Sequence, residues 1–536
     1  MAIYIKKNNQ LEQVTALMSN KTIKSIYVKQ GNEDAVCVWG VDLNILPFTY
    51  TKGTTSITIT GLKEGVAWES LTIPETIEGL PVTQIASNAF KNKTVFKSIE
   101  LPNSLKGIGS YAFYNCNGLT SITIPDSVTS IGESAFRDCT GLTSVTIPNS
   151  VTSINESVFR SCTGLTSITI GNSVTSIGRY AFYNCFRLTS ITIPDSVTSI
   201  GIFAFGDCTG LASVTIGNSV TSIGNSAFDG CSGLTRVYYT GDIVEWCGIS
   251  GLGYLMNYGS SSKTLYIGGN KIEGELIIPN TVTSIGSYAF SKCAGLTSVI
   301  IPLSVTSIRS SAFRNCVGLT SVITGHGLAS IGDYAFEGCY RLVEVYNKSG
   351  LSITAGSSSN GYIAYYAKNV YTYDGGSKLS TDGNGYVTYT DGDEKILVAY
   401  CGTNTELILP SYITQINIYA FRDCIGLTSV TIPNSVTSID ESAFRDCTGL
   451  VSVTIGNSVT NIGLYAFYGC SGLVSVTIGN NVTKIGDYAF YKCTGLTSII
   501  FKGTKAQWNA ISKGYRWNDD TGNYTIHCTD GDIPKQ

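Results

Sequence analysis

Cysteine recurs every 23 residues in three blocks: Cys116, Cys139, Cys162, Cys185, Cys208 and Cys231; Cys293, Cys316 and Cys339; Cys424, Cys447, Cys470 and Cys493. These are most of the 17 cysteines in a chain of 536 residues. Thiols placed one per unit along a line do not converge on a metal as paired CxxC motifs do, and no histidine stands near them. A fixed short period is what a solenoid requires. Each coil meets only its two neighbours and must bury the same side chains at the same places.

One unit, residues 119–141, reads LTSITIPDSVTSIGESAFRDCTG. Ile122 and Ile124 alternate with Ser121 and Thr123, which predicts a short strand with one buried face. Pro125 lacks an N–H and closes the strand. Val128 and Ile131 predict a second extended piece, and Gly132 a tight or left-handed turn. Ala135, Phe136 and Cys139 fit one turn of helix, with Phe136 and Cys139 on one side. Stacked at strand spacing, about 4.8 Å, such coils line their apolar residues into ladders within a shared core. The predicted structural ladder comprises Phe136, Phe159, Phe182 and Phe205 with Cys139, Cys162, Cys185 and Cys208, the thiols acting as small buried hydrophobes. The expected fold class is thus a repeat solenoid, α/β leaning to β, with parallel strands and one short helical turn per coil.

The spacing of Leu119, Ile122 and Ile124 matches the opening of a leucine-rich repeat. Its continuation through Pro125, Ile131-Gly132 and Ala135-Phe136-x-x-Cys139 resembles the BspA-like bacterial and protist branch of that family, over about residues 68–500. Ser127 stands where the commoner pattern has Asn or Cys, so no asparagine ladder is expected along the loop. The resemblance implies a curved right-handed superhelix used for adhesion or protein binding at a microbial surface, with no catalytic residues.

Interruptions of the period divide the chain. Expected are an N-terminal non-repeat module (1–50), arrays at 51–233, 275–341 and 407–500, insertions at 234–274 and 342–406, and a C-terminal cap (501–536). In the first segment Ile23–Val28 alternates like a strand, and residues 36–39 are its expected partner. The first insertion and the cap echo each other, with Trp246 aligned to Trp508. Trp246 is expected to plug the solenoid flank; an exposed ligand anchor is the alternative. Tyr254 and Tyr258 in the first insertion, and Tyr362, Tyr365, Tyr366, Tyr371 and Tyr373 in the second, are candidate recognition anchors or packing residues.

Chemistry is sparse by comparison. Lys and Arg number 35 against 38 Asp and Glu, net −3, with no basic block, which argues against a nucleic-acid partner. His326 and His527 are the two histidines, and Cys37, Cys247, Cys401 and Cys528 lie outside the ladder. No nucleophile elbow, phosphate loop or HExxH motif occurs, so the reading is a non-enzymatic protein with no cofactor and no metal. Asp382-Gly383-Asn384-Gly385 and Asp391-Gly392-Asp393 resemble fragments of a calcium loop. Val387 and Asp393 stand where that loop needs Gly and Glu, so hairpin turns are expected instead.

Thr123, Thr146, Thr169, Thr192 and Thr215 are expected to project outward in register, flanked by Ser121, Ser144, Ser167, Ser190 and Ser213, as a hydrated surface of good strand formers, with a binding face for protein or glycan as the alternative. Ile277, Ile300 and Ile323 break the later ladder, which argues against an ice-binding surface. The expected function is an adhesin-like scaffold that binds host or bacterial surface proteins or glycans through this face and the aromatic insertions. The alternative is a structural or receptor-binding component of a phage particle or appendage attached through residues 1–50. An enzyme within 342–406 is disfavoured, since that stretch has no histidine. No apolar run of about 20 residues crosses a membrane and the N-terminus does not resemble a secretory signal. The resemblance points to a surface or secreted location; cytoplasmic and virion-associated locations stay open.

Overall fold

The structure, a computed structural model, describes residues 46–66, 69–260, 263–372, 378–400 and 402–535, together with the backbone of four strands nearer the N-terminus. Those strands, Ala2–Lys7, Gln10–Ser19, Thr22–Val28 and Val36–Val38, form an antiparallel sheet in chain order. The expected pairing is present, with Ile26 opposite Val38 and Val28 opposite Val36. Trp39, Tyr373, Cys401 and the Cys37 side chain lie outside the described residues. The chain divides into two compact units, Met1–Lys271 and Ile272–Gln536.

Within the first unit each coil contributes two short strands. Ser144–Thr146 pairs in parallel with Ser167–Thr169, Val145 lying opposite Ile168. Ser153–Ile154 pairs in the same way with Ser176–Ile177. Inward residues Leu119, Val128, Ile131, Ala135, Phe136 and Cys139 are buried.

The segment expected to form a helical turn is not helical. Ser134 and Asp138 have φ of 55° and 61°, so two consecutive turns replace the helix. The reason lies in where the amides go. Those of Ser134, Phe136 and Asp138 donate to Glu156, Val158 and Arg160 of the next coil at 2.8–2.9 Å, whereas those of Arg137 and Cys139 donate back to Ser134 and Phe136 at 3.2 Å. A helix would turn all of them inward along its own axis and leave the stack without a third hydrogen-bonded ladder. The second left-handed position is often Asp, Asn or Gly, the residues that tolerate it best.

Gly132 is not left-handed. A Cβ there would stand 2.4 Å from the Ser110 nitrogen of the preceding coil, so close approach selects it.

Cysteine has a partner that spacing alone did not reveal. Within a run of coils the thiol donates to the phenylalanine carbonyl of the preceding coil, as Cys139 does to Phe113 and Cys162 to Phe136, at 3.0 and 3.1 Å. A carbonyl that already accepts Cys139 N–H thus gains a second donor from Cys162. The buried cysteines are free thiols.

Among the described residues no continuous asparagine ladder runs along the loop, and separate side-chain contacts take its place. One residue before the family position, Asn149 accepts the Asn172 N–H at 2.7 Å, Asp195 that of Asn218 at 3.0 Å, and Asn434 that of Asn457 at 2.7 Å. At the family position itself Ser196 and Ser304 donate to Val174 and Val282 carbonyls one coil back. Short side chains therefore still satisfy the loop backbone from coil to coil.

Strands on either side of the first expected insertion's centre, Arg236–Tyr239 and Thr264–Ile267, continue the ladder rather than leaving it. Arg236–Tyr239 pairs in parallel with Ser213–Ile216, and Thr264–Ile267 pairs with Arg236–Tyr239. Between them stands the helix Ile243–Gly248, capped by Asp242 and Glu245 in a reciprocal capping box. An antiparallel strand, Asn270–Lys271, follows. The second unit ends in the same way: strand Ser498–Phe501, helix Lys505–Ala510 capped by Thr504 and Gln507, strand Thr525–Cys528, then antiparallel Gly531–Pro534.

The second unit contains two stretches of parallel coils. Residues 342–372 also continue the first of these, since Asn369–Tyr371 pairs with Glu344–Asn347 and Phe336 N–H donates to Gly361. The hairpin of Tyr386–Asp391 and Glu394–Tyr400 starts the second stretch, with Leu397 opposite Ile416. Tyr386, Leu397 and Tyr400 join the core that runs on to Ile526, whereas Tyr389, Ile396 and Val398 pack on Val343. A two-sided hairpin therefore closes one core and covers part of another.

Candidate functional site

The outward positions of the first-unit strands form the expected face. Thr146 lies opposite Thr169, and Thr192 opposite Thr215. Thr123, Thr146, Thr169 and Thr192 are exposed and Thr215 is half-buried; Ser121, Ser144, Ser167 and Ser190 beside them are exposed and Ser213 half-buried. Among the described residues, none of these hydroxyls has a partner within the protein. They differ in this from Thr120, Thr143 and Thr166 at the strand entry, whose hydroxyls donate to carbonyls one coil back at 3.1–3.2 Å. The strand alternation thus separates structural hydroxyls from presented ones.

The face ends on an aromatic pair that the sequence reading missed. Tyr238 and Tyr266 follow Thr215 in the same column and stack at 4.7 Å. Tyr238 stands 23 residues after Thr215, so the period itself pointed to it. In the second unit the column is mixed. Ile277, Ile300, Ile323, Tyr346 and Tyr371 align in one row, and Thr431, Thr454 and Thr477 in another, the latter between Ile408 and Ile500.

Trp246 does not stand out as a ligand anchor. It is fully buried against Tyr239 at 5.3 Å, as Trp508 is buried against Phe501 at the same separation. A large ring on a capped helix closes the flank where an ordinary coil would place smaller residues. Tyr254 and Tyr258 are half-buried. Tyr362 stacks on Tyr334 at 5.9 Å and meets Tyr365 edge-on at 5.4 Å. Tyr366 touches Tyr340 and Tyr419, and burial among these phenols pushes its own hydroxyl well above the ordinary value. Of the three, Tyr365 is the exposed one, at 43%.

Among the described residues, His326, His527, Cys247 and Cys528 form no catalytic cluster. His527 pairs with Asp532 at 2.9 Å across the terminal hairpin. Cys528, the next residue, points to the other side of the strand and packs on the core. The Asp382 carboxylate, which burial alone would raise, is held below its ordinary value by bonds from Tyr412 and from the Tyr386 and Asn384 amides. These occupy the oxygens a calcium ion would need, and the residues form hairpin turns, with Gly392 at φ 60° in the second. Among the described residues, no group of three or more His, Cys, Asp or Glu could hold a metal ion, and no helix is long and apolar enough to cross a membrane.

On the turn side, tyrosines and cations alternate at the same period. Arg160 lies over Tyr180 and Tyr183, Arg445 over Tyr465 and Tyr468, and Arg516 over Tyr491, at 4.6–5.6 Å. This second patterned surface was also legible as a 23-residue spacing, Tyr465 to Tyr488 and Tyr468 to Tyr491.

The chain is similar to one known sequence family and to several solved proteins. The sequence model of the BspA type leucine rich repeat region matches residues 63–186, 175–245, 269–362 and 397–512 in six copies. No curated protein matches. A leucine-rich repeat protein from Bacteroides ovatus ATCC 8483 is 25% identical, covering 91% of this chain and 100% of that one, with a TM-score of 0.39. A leucine rich cell surface protein from Faecalibacterium prausnitzii A2-165 is 23% identical over 87% and 96%, with a TM-score of 0.27. The leucine rich repeat protein of T. pallidum is 29% identical over 36% and 83%, also at 0.27.

Proposed function

Since the chain belongs to the BspA-type leucine-rich repeat family, whose repeats build binding scaffolds, we propose that it is a non-enzymatic adhesin-like protein that recognises surface proteins or glycans. The single observation that carries this reading is the face of exposed, unpartnered Ser and Thr hydroxyls in the first unit, closed by the Tyr238–Tyr266 pair. Side chains that do no structural work recur in register on four successive coils. A rigid, pre-formed face of this kind lowers the ordering cost of binding. Tyr365 adds an exposed ring on the second unit as a further contact.

The test is binding of the intact chain to immobilised host and bacterial surface proteins and to a glycan array. The double substitution Thr146→Lys with Thr169→Lys is expected to weaken capture at least tenfold while shifting stability by no more than about 0.5 kcal/mol, since neither side chain has a partner. Tyr238→Ala is expected to weaken it as well. Capture by a surface component that is unchanged in both variants would remove this face from the binding site.

A further inference from the structure

A groove of about 790 Å³ crosses the turn side of the last coils in the second unit. It is independent of the strand face. Asp446, Gly469, Lys492 and Asp520 line it and occupy one left-handed position in successive coils, with φ of 58°, 72°, 60° and 53°. The absence of a side chain at Gly469 opens the space. A Cβ there would collide with the Asp446 carboxylate, which leans across it.

One wall is aromatic. Tyr468, which lines the groove, stacks on Tyr491 of the next coil at 5.4 Å. The rim is polar, with the hydroxyls of Ser471, Thr494 and Thr521. Its charges are compensated: Asp446 pairs with Arg445 at 3.2 Å, Asp520 accepts from Tyr491, and Lys492 lies 5.7 Å from the centre of the Tyr468 ring. The backbone is pre-set, because Asp446, Gly469 and Lys492 each donate their N–H to the next coil at 2.7–3.1 Å.

This chemistry narrows the ligand. With Asp446 and Asp520 balanced by Arg445 and Lys492, the groove offers no net positive field to a polyanion such as nucleic acid or a sulfated glycan. The hydroxyl and charged rim disfavours a wholly apolar molecule, which would leave those groups unpaired. The faces of the Tyr468 ring are taken by Arg445 and Tyr491, so the tyrosine offers its edge and hydroxyl, and a neutral sugar meets these and the rim with a ring of hydroxyls that both donate and accept. The coil spacing is comparable with the rise of one sugar unit in an extended chain. We propose that this groove binds a neutral oligosaccharide lying along the coil stack.

The experiment is saturation-transfer NMR on the intact chain with cellotriose, chitotriose and mannotriose. At least one is expected to receive saturation, with binding weakened tenfold or more by Gly469→Asn and by Lys492→Gln. Asn115, Asn184 and Asn315 hold the same left-handed position in other coils, so Gly469→Asn fills the groove with a residue the fold already accepts there. Lys492→Gln keeps the test open should that variant fold poorly. Thr146→Lys on the strand face is expected to leave this binding unchanged, which separates the groove from the surface proposed above. No transfer from any of the three sugars, or transfer unaltered in both groove variants, overturns the proposal. So does binding confined to sulfated oligosaccharides and abolished by salt.

Discussion

Truncating Phe136 to alanine tests the shared core most directly. The ring is fully buried and stacks between Phe113 at 5.1 Å and Phe159 at 5.4 Å, within 2° and 4° of parallel. Its loss leaves a void of ring size, and Phe→Ala in a core costs about 3–5 kcal/mol. Collapse of the neighbouring rings into the gap is restricted. Phe113 N–H is held on Ala135 at 2.7 Å and Phe136 N–H on Val158 at 2.9 Å, so the backbones stay at ladder spacing. The cost should therefore lie near the middle of that range, about 4 kcal/mol, or roughly a thousandfold in an opening equilibrium. In a repeat stack it falls on both interfaces of one coil. Peptide-resolved hydrogen exchange of the intact chain is the suitable assay. Protection should drop around residues 113–160 and stay unchanged in the distant Phe421–Phe490 stack. Phe186→Ala, at 42% exposure, is the control and should cost under about 1 kcal/mol. A loss below about 1 kcal/mol for Phe136→Ala, or a loss spread evenly over both units, would refute a core shared from coil to coil.

Alkali should unfold the protein through its thiols. Burial pushes Cys185 up to about 12 from an ordinary value of 9.0, so the unfolded chain releases its proton first. Stability is full below about pH 9 and falls as pH rises toward 12, by at most about 1.4 kcal/mol per pH unit for each such thiol; a pH series of urea melts measures it. Disulfide-exchange reagents should label these thiols slowly in the native state and rapidly after denaturation, as counted by thiol titration. Trp246→Ala and Trp508→Ala should each cost about 3–5 kcal/mol, with exchange increasing at the end of the first unit in one case and of the second in the other.

The period, the buried Phe and Cys columns, the outward threonines and the Trp246–Trp508 echo were all readable in the chain. Each depends on side-chain identity at a repeated place, and the repetition averages away local ambiguity. The helical turn was misread because Ala135, Phe136 and Cys139 have helical spacing, while the amides of Ser134, Phe136 and Asp138 find partners 22 residues later. Propensity sees the neighbour in sequence, and the partner here is the neighbour in the stack. At Gly132 the tight turn is present, closed by the Ala135 N–H, and only the left-handed alternative failed, the residue's constraint being the Ser110 backbone of another coil. The Asn149–Asn172 contact also lies between coils, so the missing family residue at Ser127 was no guide to it.

What the amino-acid pattern determined by itself is that coils of 23 residues stack and which side chains they bury, because hydrophobic period and equivalence between units are properties of the chain alone. Tertiary structure alone decided the left-handed turns, the continuation of the ladder at Arg236–Tyr239 and Thr264–Ile267, the burial of Trp246 and the opening over Gly469. These follow from contacts between residues far apart in sequence, where backbone hydrogen bonding and excluded volume act across coils.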